Sequence, residues 1–473
     1  MICSRYSTRS RSDGVILTIM DNLRAEVTSK EKAPESIHRR LTEEFGTDRA
    51  LLAIGEHFRI VGEPSRAIAF PRTVEELSEM LSFAMSENLT VIPAGAGTWL
   101  NMGNPPVRAH LIISTTYMNR VLEYEPADLT VTVEAGCPLY TFNQHASEHR
   151  QWIPLDPFGD EAATLGGIVA TASSGPLRCA YGTPRDWVIG MQIVHAYGLT
   201  TRAGGKVVKN VAGYDLCKLY TGSFGALGII TELSFKLRGL PPSERTLIFK
   251  AGAVTDICDL AMRINASDVQ PSAIQLLTAN IKDEQVELAT SGDGNYALVL
   301  QFIGADETIK WQIDEAIRLG ADFKYLKLSS EAALKFWSDY RETEISQEWD
   351  LIFRVSVKPA DLGVMIAEVY KYLPESPLSM IRAHAANGVI RVHADNHALD
   401  WFRSKERPRR VVEFRTRAQA LGGNMVILRA PLELKSQIDV WGEVGPTAIL
   451  MHSLKEKFDP QNLLNPGRFV AGI

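Results

Sequence analysis

The sequence predicts an α+β protein of two domains, and three observations carry that expectation. The chain's 473 residues exceed the roughly 250–300 that one hydrophobic core supports. From about Ala67, short apolar strands alternate with amphipathic helical stretches until Pro241 and Pro242, a pair that reads as a domain boundary. Beyond that pair, helical patterns such as "TDICDLAMRI" alternate with apolar runs such as "NYALVLQFIG" and "DLIFRVSV", the pattern of a second α+β domain.

In chain order, "AIAF" is an apolar strand ended by Pro71. Thr73 and Glu76 then stand at capping-box spacing, and Leu77, Met80, Leu81 and Ala84 recur at helical intervals. "TVIPAG", "HLIIS", "VLEYE" and "TVTVEAG" follow as strands, then an amphipathic segment from Pro138 and a strand "QWIPLD". The Gly/Ala/Ser-rich "TLGGIVATASSG" leads into "VIGMQIVHAYG" and a glycine-punctuated stretch from Gly204 to Leu233. Near the end, "LMHSLKEKF" reads as a short amphipathic helix followed by a Pro/Asn/Gly turn. The expected organisation is a tail and helical extension over 1–60, a first domain over 61–242 and a second over 243–447. Residues 448–473 return to the first. No internal repeat is visible.

Composition excludes several classes. A formal charge of -6 on a chain with 22% charged residues argues against nucleic acid as a partner. Cys3, Cys137, Cys179, Cys217 and Cys258 are scattered, without the close spacing that holds zinc or an iron–sulfur cluster. No metal site is expected, and the cysteines suit a reducing cytoplasm. No apolar run reaches the roughly 18 residues of a membrane span.

Glycine is needed where φ is positive or backbones approach closely. Three clusters meet that description: "PAGAGT" (Pro93–Thr98) after a strand, "TLGG" with "SSG" (Thr164–Gly175), and "GSFGALG", which spaces Gly222, Gly225 and Gly228 by three. The first suits a phosphate through successive N–H groups, and three together imply an extended ligand. Two commoner nucleotide motifs fail. Val207 follows Gly205 and Lys206 where a P-loop needs a hydroxyl, and Leu100 stands where G-x-G-x-x-G needs its last glycine. Tight turns and close packing alone are the competing explanation of the glycines.

Five ordered motifs, "PAGAGT", "VTVEAG", "TLGGIVAT", "YGTPRDWVIG" and "GGKVVKNVAGYDLCKLYTGSFGALGIITE", resemble the FAD-binding domain of the vanillyl-alcohol oxidase (PCMH) type. More narrowly they resemble the FAD-binding subunit of bacterial glycolate oxidase, and "LKEKFDPQNLLNPGRF" is similar to the closing motif of that family. The resemblance implies a two-subdomain FAD-binding domain with a second, cap domain. It places Gly95, Ala96, Gly97 and Thr98 at the FAD pyrophosphate. Thr164, Leu165, Gly166 and Gly167, with Ser173, Ser174 and Gly175, would run beside the ribityl chain and flavin. Tyr181, Gly182 and Asp186 correspond to a Y-G-x-x-x-D turn, Gly228, Ile229 and Ile230 to the strand entry near adenine, and Asn465 and Arg468 to the closure of the flavin pocket.

Departures from the family shape the rest of the expectation. Thr98 stands where covalent FAD binders often carry His, which implies non-covalent FAD. Relatives that oxidise 2-hydroxy acids carry a general base in G-E-H-G, whereas here "WGEVGP" keeps Glu443 and has Val444, which accepts no proton. In "AHAANGVIRVH", His384 matches a family metal ligand while Arg391 occupies the second ligand's position; His393 and His397 read as ordinary histidines. Arg354 resembles an arginine that binds substrate carboxylate, with a salt bridge as the competing role. Lys206 and Lys209 stand between neutralising a phosphate and lying in a solvated loop. Asp215 reads as a helix cap with Tyr214 packed beneath it.

The expected function is an FAD-binding subunit of a glycolate (D-2-hydroxy-acid) oxidase complex. Its partners would be a homologous catalytic flavoprotein subunit and an iron–sulfur subunit, at most peripheral at the inner face of the cell membrane. The alternatives are an autonomous FAD-dependent oxidoreductase acting on another alcohol or sugar acid, and a non-catalytic FAD-bearing assembly subunit.

Overall fold

The computed structural model describes residues 35–52, 58, 60, 67–205, 214–278, 296–343, 346, 349–372, 379–394 and 407–473. Lys206, Lys209 and His397 lie outside them. The chain divides into two compact units, and neither is one continuous stretch. One holds the described residues from Glu35 to Ser173, Thr183–Leu240 and Glu443–Ile473; the other holds Ser174–Gly182 and Pro241–Gly442. A stretch of the second unit opens at Pro241, and the last stretch of the first unit opens at Glu443. Ser174–Gly182 belongs with the unit that the sequence assigned to residues after 243.

The first unit has two main sheets. Strands β1 (Ala50–Leu52), β2 (Ala67–Ala69), β3 (Val91–Ala94) and β4 (Leu111–Ser114) are ordered β1-β2-β4-β3, with β4 parallel to both β2 and β3. The intervening helix Val74–Ser86 forms as its pattern predicts. Thr73 caps it by accepting from the Glu76 N–H at 3.2 Å, and Leu77, Met80, Leu81 and Ala84 are buried. The second sheet is antiparallel, order β5-β6-β10-β8-β9, from β5 (Val121–Glu125), β6 (Thr130–Glu134), β8 (Val188–Val194), β9 (Thr200–Gly204) and β10 (Ile229–Lys236). Of "QWIPLD" only Gln151–Trp152 pairs, as β7 with β11 (Arg238–Gly239).

The second unit is built on one eight-stranded antiparallel sheet. Its strands are β12 (Ser243–Ala251), β13 (Ala273–Thr278), β14 (Tyr296–Gly304), β15 (Lys324–Lys327), β16 (Leu351–Ser356), β17 (Ser379–His384), β18 (Val389–Ala394) and β19 (Asn424–Arg429). Their order, β15-β12-β14-β13-β17-β18-β16-β19, shows a repeat that the sequence does not. Each half runs strand, helix, strand, strand, helix, strand, and each has the spatial order fourth-first-third-second, the split βαβ pattern. The halves meet at their second strands, β13 and β17. Helices Val254–Asn265, Asp306–Leu319, Leu362–Tyr372 and Arg407–Ala420 supply the crossovers. One face of the sheet is apolar, with Phe249, Leu298, Ile381, Val392, Phe353 and Ile427 in a single core cluster.

Candidate cofactor-binding site

A cavity lies in the first unit. Four chain segments build its walls. The turn Pro93–Leu100 follows β3, and its carbonyls are held by the protein: Ser114 Oγ donates to Gly95 O at 2.9 Å and Thr115 Oγ1 to Ala94 O at 3.4 Å. Because each peptide is planar and trans, the Gly95 and Ala96 N–H groups point away from those hydroxyls. Gly97, at φ +87, turns the chain through a conformation costly for other residues.

The second wall is the start of helix Leu165–Thr171. Thr164 caps it, accepting from the Gly167 N–H at 3.2 Å. Leu165 N donates to Cys137 O and Gly166 N to Ala135 O, which pins the turn to the end of β6. The third wall is Phe224–Ile230, entering β10. The fourth is the C-terminal return, through Asn465 and Arg468.

The glycines of the cavity walls also pack closely against protein. A Cβ on Gly95 would sit 2.0 Å from Thr164 Oγ1, one on Gly166 2.7 Å from Ala135 Cβ, and one on Gly228 2.5 Å from Ile193 Cγ2. Gly225 has φ +72 and would place a Cβ 3.1 Å from the Pro93 ring. These glycines let the walls touch one another, so packing and cavity formation are one requirement.

Arg468 is buried yet well anchored. Its Nη1 donates to Asn465 Oδ1 at 3.0 Å, and its Nη2 to Leu100 O at 2.6 Å and Met102 O at 2.8 Å. Burial pulls its pKa down to about 10, which leaves the guanidinium charged at neutral pH, so the wall carries a positive charge suited to an anionic ligand. Asn465 Nδ2 donates to Phe224 O, joining the fourth wall to the third. Phe224 and Phe469 stack with centroids 5.6 Å apart.

Sequence reasoning passed over the clamp behind these walls. Lys455 Nζ donates to Ala226 O at 2.9 Å, Leu464 O at 2.6 Å and Asp459 Oδ2 at 2.7 Å. The Asp459 carboxylate in turn accepts from the Leu463 and Leu464 N–H groups. Burial pulls the Lys455 ammonium down in pKa, with Asp459 opposing. The visible signal was a Lys and an Asp four apart at the end of an amphipathic helix, a spacing that more often marks a solvated pair.

Not every expected site residue reaches the cavity. Gly95, Ala96, Gly97, Thr98, Thr164, Gly166, Gly167, Gly228, Ile229, Ile230, Asn465 and Arg468 line it. Leu165 and Ser173 lie in the same unit without lining it. Ser174, Gly175, Tyr181 and Gly182 belong to the second unit. The Asp186 carboxylate is spent on a capping box, accepting from Thr183 N at 2.8 Å and Thr183 Oγ1 at 2.9 Å. Glu443 is exposed, and Arg354 stands in β16 of the second unit. Asp215 does cap its helix, accepting from Lys218 N at 3.3 Å. Tyr214 is not packed beneath it but 96% exposed.

The family described as "FAD binding domain" matches residues 65–204, and that described as "FAD linked oxidases, C-terminal domain" matches 442–469. The chain is an FAD-dependent oxidoreductase. The two matched segments hold three of the four cavity walls. The glycolate oxidase subunit GlcD of Bacillus subtilis (strain 168) is 27% identical over 86% of this chain and 89% of its own length. The glycolate oxidase subunit GlcE of Escherichia coli (strain K12) is 35% identical over 37% of this chain and 49% of its own length. A p-cresol methylhydroxylase structure with substrate bound superposes with a TM-score of 0.69 at 17% identity, over 92% of this chain and 96% of that one. The fold is therefore that of the vanillyl-alcohol oxidase type FAD-binding domain with a second α+β domain. Among the described residues, no group of three or more His, Cys, Asp or Glu is placed to hold a metal ion. No helix among them is long and apolar enough to cross a membrane.

Proposed function

We propose that this chain is the FAD-bearing flavoprotein subunit of a complex that oxidises glycolate or a related D-2-hydroxy acid. Its expected partners are a homologous catalytic flavoprotein subunit and an iron–sulfur subunit, and any membrane association would be peripheral and through them. The observation that carries the reading is the glycine-walled cavity closed by Asn465 and Arg468. FAD, when bound, supplies a two-electron acceptor. In the cavity, the Pro93–Leu100 turn and Arg468 would hold the anionic part of the cofactor, and Thr98 would leave the flavin non-covalent. Similarity to GlcD along most of the chain supports the substrate class. Similarity to both GlcD and GlcE supports assembly into a complex.

Val444 supports dependence on a partner, since it offers no proton acceptor where hydroxy-acid oxidation needs one. His384 does not replace it. Tyr340 donates to Gln275 Oε1 at 2.7 Å, which turns the Gln275 amide nitrogen toward His384 Nδ1 at 3.1 Å. That contact engages Nδ1 within the second unit. Anaerobic addition of glycolate or D-lactate to the purified chain tests the reading. A flavin spectrum that stays oxidised alone and bleaches when the partner subunits are added is the expected result. Bleaching by either acid without partners would mean that the chain oxidises hydroxy acids unaided.

A further inference from the structure

The C-terminal helix Ala448–Phe458 of the first unit reverses the usual pattern of a surface helix. Such a helix ordinarily turns its aliphatic side chains to the core and its charges to water. Here the residue it buries is Lys455, whose ammonium holds the Ala226 and Leu464 carbonyls. Ile449 and Leu450 are 74% and 63% exposed. The clamp behind the cavity explains the rotation. Lys455 has to face Ala226, and at 3.6 residues per turn Ile449 and Leu450 then stand roughly 120–140° round the helix from it. Two adjacent aliphatic side chains are thereby presented to the outside, the mark of an interaction surface.

The surface carries opposite charges at its two ends. Glu443 and Lys457 are both exposed, and each stands seven positions from Leu450, one before it and one after. Seven residues are about two helical turns, so Lys457 shares the Leu450 face. Glu443 precedes the 3-10 turn Gly445–Thr447 that leads into the helix. Two such segments crossing antiparallel at Leu450 meet at equal distances from the crossing. Aliphatic side chains then face aliphatic side chains, and each Glu443 faces the second copy's Lys457. That is the self-complementarity a two-fold contact requires.

We propose that the face of helix Ala448–Phe458 bearing Ile449 and Leu450 is the surface through which two copies of this chain associate, antiparallel about Leu450. The inference goes beyond the functional reading above and does not rest on it. Burial of the two aliphatic side chains supplies the affinity, and the two Glu443–Lys457 pairs at the rim fix orientation and register. From Glu443 to Lys457, ten of the fifteen residues are exposed, fewer than the roughly 20–30 a side of a standard interface. The association is therefore reversible, with a Kd of about 1–100 μM.

The test is sedimentation velocity of the full-length FAD-loaded protein over about 1–200 μM, a range that brackets that Kd. A concentration-dependent monomer–dimer equilibrium is expected. Leu450→Asp should weaken it by about tenfold or more, since it places a charge at the centre of the contact. Glu443→Lys and Lys457→Glu should each weaken it by about fivefold, and the double reversal should restore it to within about twofold of the wild type. The two reversals change only exposed side chains, so they carry the test even where Leu450→Asp does not fold. A wild type that stays monomeric at the highest concentration would overturn the proposal and leave the surface to a different partner. A dimer indifferent to Leu450→Asp, or one that the double reversal leaves as weak as the single reversals do, would overturn it as well.

Discussion

At the scale of the residue, the cavity depends on places where a side chain cannot exist. Gly225 combines a positive φ with the Pro93 ring at 3.1 Å from an added Cβ. Gly225→Val should therefore lower FAD affinity by about tenfold or more, since strain of about 1–3 kcal/mol must be relieved by moving a wall. Gly239, with nothing within 4 Å of an added Cβ, is the control, and Gly239→Ala should leave flavin content unchanged. Both follow from the ratio of visible to ultraviolet absorption after dialysis. Arg468→Met should weaken FAD binding more than Arg468→Lys, because only Lys keeps the wall's positive charge. Fluorescence titration of the apoprotein with FAD reads the difference.

At the scale of the element, the C-terminal helix Ala448–Phe458 and its following turn act as a bolt. Lys455→Met would leave the buried Asp459 carboxylate without its cation, a change that costs about 3–5 kcal/mol when such a pair is broken. A lower Tm and easier FAD loss are the expected outcomes; an unchanged Tm would show that the clamp does not hold the wall. His195, in the loop after β8, is sandwiched between Tyr197 and Phe458 at centroid distances of 5.6 Å, and its Nε2 meets Thr201 Oγ1 at 2.8 Å. Burial depresses its pKa. Below about pH 6.5 the unfolded imidazole takes a proton that the folded one refuses. Its contribution to stability is thus complete above that pH and lost as pH falls toward the folded value. Urea unfolding midpoints should fall between about pH 7 and pH 5.5, and His195→Gln should flatten the fall.

At the scale of the whole molecule, much of the first unit was legible because its chemistry is local. The Thr73 cap, the glycine turn after β3 and the Thr164 cap are each written within a few consecutive residues. The Lys455–Ala226 and Asn465–Phe224 contacts were not legible, since they join residues more than 200 positions apart and nothing in either segment names the other. The doubled βαββαβ sheet escaped for a related reason: it repeats hydrogen-bond order rather than residues. The pairing of Arg391 with Arg354 and Arg382 on its two neighbouring strands was equally hidden, because the three become neighbours only once register is fixed. The glycine clusters leave a cofactor and close packing both open in the sequence, and the contacts that an added Cβ would meet at Gly95, Gly166 and Gly228 depend on atoms from distant segments.

The central claim is that the cavity between the Pro93–Leu100 turn and Arg468 holds one non-covalent FAD. Acid precipitation of the purified protein, followed by absorption spectra of supernatant and pellet, tests it most directly. The account predicts one FAD per chain, all of it in the supernatant, and little or none from Gly225→Val. Flavin retained in the pellet, or a full flavin complement in Gly225→Val, would contradict it.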